Sequence, residues 1–293
     1  MREIGCVACP RQCRALRSAE KGFCGVGEDI KIARIGLHLW EEPCISFGNG
    51  SGTIFFSGCN LRCVFCQNQM ISQGGKGREI SRETLIEEML NLQERGAGNI
   101  NLVTPSHYTE AIASVLQDVK HKLSIPVIYN SSGYDKAESL QKLDGLIDIY
   151  LPDVKYFSPE LSQKYSGARD YFSVAEKAIK EMFRQCGYYQ EDEMGHMRKG
   201  VLLRHMVLPS CYRDSVKVLD WVAENYAADR MAISLMSQYF PTYRATEYPE
   251  LNRRLTTFEY KKVVEHARNL GFVNGFVQKR ESASSSYVPD FDY

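Results

Sequence analysis

Residues 52–66 read GTIFFSGCNLRCVFC, an apolar run that leads directly into three cysteines. Cys59, Cys63 and Cys66 have the spacing C-x3-C-x2-C. A cubane iron–sulfur cluster has four irons, so three neighbouring thiolates leave one iron for an outside ligand. A catalytic zinc site keeps one position open in a similar way. The stretch therefore predicts a [4Fe-4S] cluster that takes part in chemistry, and three core or zinc-binding cysteines are the alternative.

Composition sets broad limits on the class of protein. The chain has 293 residues, and its 36 basic and 36 acidic side chains cancel, so no global charge indicates nucleic acid or an anionic membrane as a partner. No apolar run approaches the ~20 residues of a membrane span, and residues 1–5 do not begin a signal peptide. Ten cysteines then favour thiolate metal ligands over disulfides. We expect a cytoplasmic protein that works at low oxygen.

Beyond residue 50, short apolar runs alternate with amphipathic stretches. This alternation predicts a parallel α/β sheet with right-handed crossovers, although periodicity alone does not separate six units from eight. A Thr256–Glu259 capping box should begin the last helix. The predicted strands are residues 53–57, 99–104, 126–130, 147–151, 201–208 and 231–237, and the predicted helices include residues 81–95, 108–123 and 213–226.

Polar side chains follow most of the predicted strands. Because the carboxyl ends of parallel strands meet at one edge of a sheet, a binding site is expected there. Each residue alone is weak evidence, since strand ends often carry loop-capping polar groups. The candidates at these ends are Thr104, Ser106, His107, Asn130, Ser131, Asp153, Lys155, Arg204 and Gln238.

The cysteine loop, with Phe65 just before its last cysteine, closely resembles the signature of radical S-adenosylmethionine (radical SAM) enzymes. Residues 38–278 further resemble an iron–sulfur branch of that superfamily related to the pyruvate formate-lyase activating enzyme. The matching phrases are EEP at 41–43, GTIFFSGCNLRC at 52–63, CQN at 66–68, YLPDVK at 150–155, RHMVLP at 204–209 and LMSQY at 235–239.

The resemblance implies a partial (β/α)6 barrel in which SAM binds the fourth iron. Reductive cleavage of SAM would yield a 5′-deoxyadenosyl radical that abstracts hydrogen from a substrate, with flavodoxin or ferredoxin as electron donor. By position, Lys155 would lie near the SAM carboxylate, Asp153 at a cation site beside it, and Arg204 and Asn130 against SAM. The usual Gly-Gly-Glu is absent, and residues 104–107 stand in its place. The full predicted SAM-binding set is Phe65, Thr104, Ser106, His107, Asn130, Ser131, Asp153, Lys155, Arg204 and Gln238.

A second group of cysteines precedes the barrel, with the spacing C-x2-C-x3-C-x10-C. Four free thiols this close together would oxidise without a metal, so metal ligation is expected. The spacing leaves open a second [4Fe-4S] cluster or zinc. We expect a metal-binding extension at residues 1–50 that is dispensable for SAM binding, the barrel at 51–280 and a tail at 281–293. The four ligands are Cys6, Cys9, Cys13 and Cys24.

Three functions follow from these patterns. The first is a radical SAM enzyme acting on a protein, peptide or small molecule, in which Cys211 is a candidate radical relay. The second is an activase of a glycyl radical enzyme. The third is a non-catalytic electron-transfer or binding module, which would need a fourth cysteine such as Cys44 at the 59–66 loop.

Overall fold

The computed structural model describes residues 5–278 and 291, and its centre is one mixed β-sheet. The strands are β1 (Ile30–His38), β2 (Ser51–Phe56), β3 (Arg78–Ile80), β4 (Ile100–Val103), β5 (Val127–Ser131), β6 (Ile149–Pro152), β7 (Gln190–Glu191), β8 (Met197–Met206), β9 (Ala232–Met236) and β10 (Asn274–Val277). The helices are α1 (Gln69–Ser72), α2 (Arg82–Glu94), α3 (Thr109–Val119), α4 (Ala137–Leu140), α5 (Pro159–Ser166), α6 (Tyr171–Cys186), α7 (Tyr212–Asn225) and α8 (Thr257–Asn269).

The strand order is β10-β9-β8-β6-β5-β4-β2-β1-β3, with β7 added beside β8. All pairs from β2 to β10 along this path are parallel, whereas β1 runs antiparallel to both β2 and β3. Every residue of β2, β5, β6 and β9 is buried, as expected for parallel strands covered on both faces. The predicted α/β fold with a mostly parallel sheet is confirmed.

The six predicted strands correspond to β2, β4, β5, β6, β8 and β9, and the capping box of Thr256 and Glu259 is present in α8. The sheet also contains a seventh parallel strand, β10, that the sequence did not reveal. Three of its four residues are exposed, so it lacks an apolar signal. Gly275 is needed in β10 because a Cβ there would lie 2.0 Å from the Ile233 carbonyl oxygen.

The first sheet strand, β1, lies ahead of residue 50. It pairs with β2 from Ile32 to His38, so this part of the predicted extension belongs to the sheet. The longest helix in the described part of the chain is α6 with 16 residues. None of the helices described here combines the length and the apolar character that crossing a membrane requires.

The segment of residues 39–46, here called the floor segment, lies across the amino-terminal ends of the strands. Cys44 and Ile45 are buried against Ile128, Ile149, Leu202 and Ala232, which lie in the amino-terminal or middle parts of their strands. The Cys44 carbonyl accepts from the Met197 N–H (2.9 Å), and the Ile45 carbonyl accepts from the Asn99 amide (2.8 Å). The floor segment thus closes one end of the sheet's inner face.

Candidate active site

The cysteine loop begins where β2 ends. Gly58 has a φ of +85°, and a Cβ there would lie 2.7 Å from the Cys24 carbonyl oxygen and 3.2 Å from His107 Nε2. Only glycine fits both the backbone conformation and the space. The turn therefore directs Cys59 and the following loop to the carboxyl edge of the sheet.

Each of the three loop sulfurs has a hydrogen-bonding neighbour. Cys59 Sγ accepts from the Leu61 N–H (3.4 Å), while Cys63 Sγ lies 3.0 Å from Ser166 Oγ and Cys66 Sγ 3.2 Å from Ser72 Oγ. Hydrogen bonds of this kind are typical of thiolates that hold iron–sulfur clusters. The surroundings of the sulfurs therefore suit an iron–sulfur cluster.

Burial dominates the titration of these thiols. It raises the pKa of Cys59 to about 12, with repulsion from Cys63 adding to the effect, and it raises the pKa of Cys63 to about 11. Three adjacent half-buried thiols of this kind become thiolates when a metal supplies positive charge. No three His, Cys, Asp or Glu side chains in the described chain are arranged as ligands of a single metal ion. A cubane cluster instead takes each thiolate on a different iron.

Four of the predicted polar residues form one network next to this loop. Lys155 Nζ lies 2.5 Å from Asp153 Oδ2, and Arg204 donates to Asp153 Oδ1 (3.0 Å) and to Asn130 Oδ1 (2.6 Å). Although burial opposes ionisation, Lys155 and Arg204 hold the pKa of Asp153 below its ordinary value. The Lys155 charge also acts on Cys59 and Cys63. The structure therefore brings these strand ends together beside the cysteines.

A cavity of about 490 Å³ opens at this edge of the sheet. Its wall includes Gln67 and Asn68, which directly follow Cys66, and the predicted residues Asn130, Arg204 and Gln238. The cavity thus extends from the cysteine loop across the inner face of the strands.

Other predicted residues lie outside the cavity wall. Ser106 and Ser131 bond the buried Asp135, and Ser131 Oγ donates to its Oδ2 (2.5 Å). His107 Nε2 lies 2.8 Å from the Ser57 carbonyl oxygen, and burial lowers the pKa of its ring to about 4. These three side chains thus form hydrogen bonds that stabilise the loops after the strands.

Four further candidates have other surroundings. Phe65 packs edge-on against Tyr239 at a centroid distance of 6.1 Å. Thr104 follows β4 with a φ of +61°, and its N–H donates to the Asn130 carbonyl. Cys211 is buried at the start of α7, and burial raises the pKa of its thiol to about 12. Cys44 lies in the floor segment, at the opposite end of the strands from the cysteine loop.

The sequence reasoning missed Glu41 and Glu42 as site residues. Both line the cavity, and burial raises the pKa of each carboxyl. Two consecutive acidic residues ahead of a strand look like an ordinary solvated turn. The one sequence feature that could have indicated a role for Glu41 and Glu42 is the EEP phrase that they form with Pro43, which resembles known proteins. That phrase does not indicate that the two carboxylates are buried.

The four N-terminal cysteines come close together. A Cβ on Gly22 would lie 3.4 Å from the sulfurs of both Cys13 and Cys24, and the Cys13 side chain bonds Cys6. Burial raises the pKa of Cys9 to about 11, and Cys24, Cys6 and Cys13 add to it. The chain therefore gathers these thiols into one cluster.

This cysteine cluster touches the loop of residues 59–66. The Cys59 N–H donates to the Cys24 carbonyl (3.2 Å), Arg11 Nε donates to the Asn60 carbonyl (2.7 Å), and Arg62 donates to the Phe23 carbonyl. The two groups of cysteines are thus joined by direct hydrogen bonds.

Comparison with known proteins assigns the family. The sequence model of the Radical SAM superfamily matches residues 53–188. Uncharacterized protein MJ0674 of Methanocaldococcus jannaschii is 32% identical over 272 residues, which cover 89% of this chain and 74% of the relative. Uncharacterized protein MJ0808 of the same organism is 22% identical over 295 residues, covering 93% and 79%. The chain belongs to the radical SAM superfamily.

Solved structures show the same fold. Streptococcus suis SuiB bound to its precursor peptide SuiA superposes with a TM-score of 0.51 at 15% identity, covering 75% of this chain and 46% of SuiB. SuiB bound to S-adenosylmethionine gives 0.50 at 14% identity, covering 75% and 48%. This chain therefore spans about half the length of SuiB. It is an enzyme of the radical SAM type, and its family implies a [4Fe-4S] cluster and SAM.

Proposed function

We propose that Cys59, Cys63 and Cys66 hold the cluster and that SAM binds in the adjoining cavity. The observation that carries the proposal is the three half-buried thiols of Cys59, Cys63 and Cys66 beside the Lys155–Asp153–Arg204 network. When bound there, the cluster and SAM supply an electron and a 5′-deoxyadenosyl radical that abstracts hydrogen from a substrate. We propose that the substrate is a protein, a peptide or a small molecule.

The side chains of this chain have binding and positioning roles. Lys155 offers a point charge to the SAM carboxylate, while Asp153 fixes the ammonium group of Lys155. Arg204 and Asn130 hold Asp153 and offer donors and acceptors to SAM. The buried walls keep water and stray hydrogen donors from the reacting atoms.

We further propose that β2 to β9 act as a partial (β/α)6 barrel and that the N-terminal cysteines hold a second metal group. The closeness of Cys6, Cys9, Cys13 and Cys24 supports the second site. A [4Fe-4S] cluster would take each thiolate on a different iron, whereas zinc would need the four sulfurs to draw together around one ion, an arrangement that the described residues do not have. Because this group touches the loop of residues 59–66, it is placed to relay an electron from a flavodoxin or ferredoxin.

A glycyl-radical-enzyme activase is the second candidate. The paired Asp153 and Lys155 support it, because the Asp-x-Lys phrase resembles that of the activases and its two side chains meet at 2.5 Å. The partner would be a large protein with a C-terminal glycine loop. A glycyl radical signal after mixing with such a protein would distinguish this function.

The test of the proposed function is SAM cleavage. Anaerobically reconstituted protein with dithionite should release 5′-deoxyadenosine and methionine, even slowly without substrate. Cys63→Ala should abolish both products, as should Cys59→Ala or Cys66→Ala. Cys186→Ala is the matched control, because that buried thiol donates to the Ile147 carbonyl and lies outside the cavity wall. Undiminished product from Cys63→Ala would show that the loop does not hold the catalytic cluster.

A further inference from the structure

Two adjacent carboxylates, Glu41 and Glu42, lie inside the candidate active-site cavity. Glu42 is 8% exposed, and the Glu41 side chain is 11% exposed. Carboxylates are rarely buried unless a cation or hydrogen-bond donors compensate them. Their presence at this depth therefore requires a physical explanation.

The charges around this pair are unequal. Arg204 acts on all three carboxylates, those of Glu41, Glu42 and Asp153, whereas Lys155 acts on Asp153, and Asn101 hydrogen-bonds Glu41. Lys155 is paired with Asp153, and Arg204 lies 3.0 Å from Asp153 and 3.6 Å from Glu41 Oε2. When all five groups are charged, the cluster has one carboxylate more than it has cations.

Two buried oxygen atoms in the same cavity wall lack a hydrogen-bond partner among the described residues. Glu42 Oε2 and Ser234 Oγ have no hydrogen-bond partner within residues 5–278 and 291. Ser234 is fully buried, and it pairs in register with Arg204 of β8, whose charge acts on Glu42. Buried polar atoms normally have partners. An ionised Glu42 carboxylate can only accept, and the Ser234 hydroxyl can accept or donate, so a ligand group that donates hydrogen bonds would satisfy both.

We propose that Glu42, assisted by Glu41 and Ser234, receives a cationic group of the substrate, an ammonium or a guanidinium. The proposal rests on the proposed function and names the substrate class for that cavity. Such a group supplies both the missing positive charge and the missing donors. Phe55 and Phe276 line the same cavity, and aromatic rings near a bound cation can attract it through their faces.

Position separates this subsite from that of SAM. The cysteine thiols interact with Lys155 and Asp153, whereas the two glutamates interact with Arg204 and Asp153. Asp153 therefore lies between the cluster loop and the glutamate pair. Glu42 also directly precedes Pro43 and Cys44, which closes the amino-terminal end of the sheet. The cation would thus be held beside Arg204 rather than beside Lys155 and the cysteine loop.

Binding of matched probes to the anaerobic, reconstituted protein tests the proposal by calorimetry. The probes are N-acetyl-lysine methylamide, N-acetyl-arginine methylamide and the uncharged N-acetyl-norleucine methylamide. At least one cationic probe should bind tenfold or more tightly than the norleucine probe, and the better one identifies the group. Glu42→Gln should remove that preference and leave norleucine binding unchanged. Glu138→Gln, at an exposed position on α4, should keep the preference.

Three results would overturn the proposal. The first is equal binding of the cationic and norleucine probes, and no binding of any probe counts as this result. The second is an undiminished preference for the cationic probe in Glu42→Gln. The third is displacement of the cationic probe by SAM. The last would assign Glu42 to the SAM ammonium. Formation of 5′-deoxyadenosine by the unaltered protein is measured in parallel. Protein that cleaves SAM without preferring cations refutes this inference alone, whereas protein that prefers cations without cleaving SAM refutes the proposed function alone.

Discussion

At the residue scale, the site depends on charges that fix one another. Asp153 accepts from Arg204 and meets Lys155, so both cations have defined positions in a buried environment. The charge of Lys155 also reaches the thiols of Cys59 and Cys63. An ammonium group held in this way is positioned to bind a carboxylate next to the cysteine loop.

Replacement of Lys155 tests that role. A charge-assisted contact typically contributes ~1.5–3 kcal/mol, so Lys155→Ala should weaken SAM binding roughly ten- to a hundredfold while iron content stays the same. Calorimetric titration of the reconstituted protein with SAM measures the change. Lys142→Ala removes an exposed lysine as the control. Unchanged SAM affinity in Lys155→Ala would exclude this lysine from the SAM site.

At the element scale, α8 is secured by its first turn. Thr256 accepts from the Glu259 N–H, and the Glu259 carboxylate accepts from the Thr256 and Ser210 N–H groups and from Arg253. One side chain therefore caps α8 and ties it to the loop after β8. The hydrogen bond from Arg253 is the main reason that the pKa of Glu259 falls to about 2.

A pH series tests this cap. Because the folded pKa of Glu259 lies below its ordinary 4.5, its contribution is complete above about pH 4.5 and is lost as pH falls toward about 2. Glu259→Gln should lower the melting temperature at neutral pH and flatten its decline over that acid range, as followed by circular dichroism. Glu247→Gln, in an exposed pair with Arg244, should leave the melting temperature almost unchanged, because solvent screens such a pair. Parallel acid declines in the unaltered protein and Glu259→Gln would contradict the assignment.

The elements also show which parts of the fold and of the site can be predicted from the sequence. Buried runs such as β5 and β9 and the Thr256 cap were predictable, because apolar runs and capping boxes are local signals. The exposed β10 was not, since its place depends on the close approach of Gly275 to Ile233. Strand ends predicted Asn130, Asp153, Lys155 and Arg204 as neighbours. The burial of Glu42 depends instead on the path of the floor segment, which no local pattern encodes.

At the scale of the whole molecule, the N-terminal segment covers the cysteine loop. The carbonyl groups of Cys24 and Phe23 accept hydrogen bonds from the Cys59 N–H and from the Arg62 guanidinium, respectively. The Arg11 guanidinium donates to the Asn60 carbonyl. The side chains of Lys136 and Ser139 bond the carbonyls of residues 7 and 8. The segment is therefore attached both to the loop and to the helical layer beside it.

Replacement of the cysteines at the proposed N-terminal metal site tests the relation between the two sites. The Cys6→Ala/Cys9→Ala variant should still cleave SAM, because the 59–66 ligands are intact, but its cluster should bleach faster in air as the cover loosens. If the N-terminal site holds a [4Fe-4S] cluster, total iron should fall from about eight to about four per chain. If it holds zinc, iron should stay near four and the zinc should be lost. Metal analysis and visible absorbance measure both effects. Loss of SAM cleavage in a variant that keeps four irons would show that the first metal is required.

The floor segment has a consequence for the order of events in turnover. Cys44 and Ile45 close the amino-terminal end of the sheet, while the cavity wall around Glu42 includes the exposed Leu39 and Trp40 on one side and Gln67, beside the cysteine loop, on another. If a substrate for Glu42 enters past the cysteine loop, it would have to bind before SAM and leave after methionine and 5′-deoxyadenosine. Excess SAM would then slow the reaction, so the supply of the two molecules would govern flux through the enzyme.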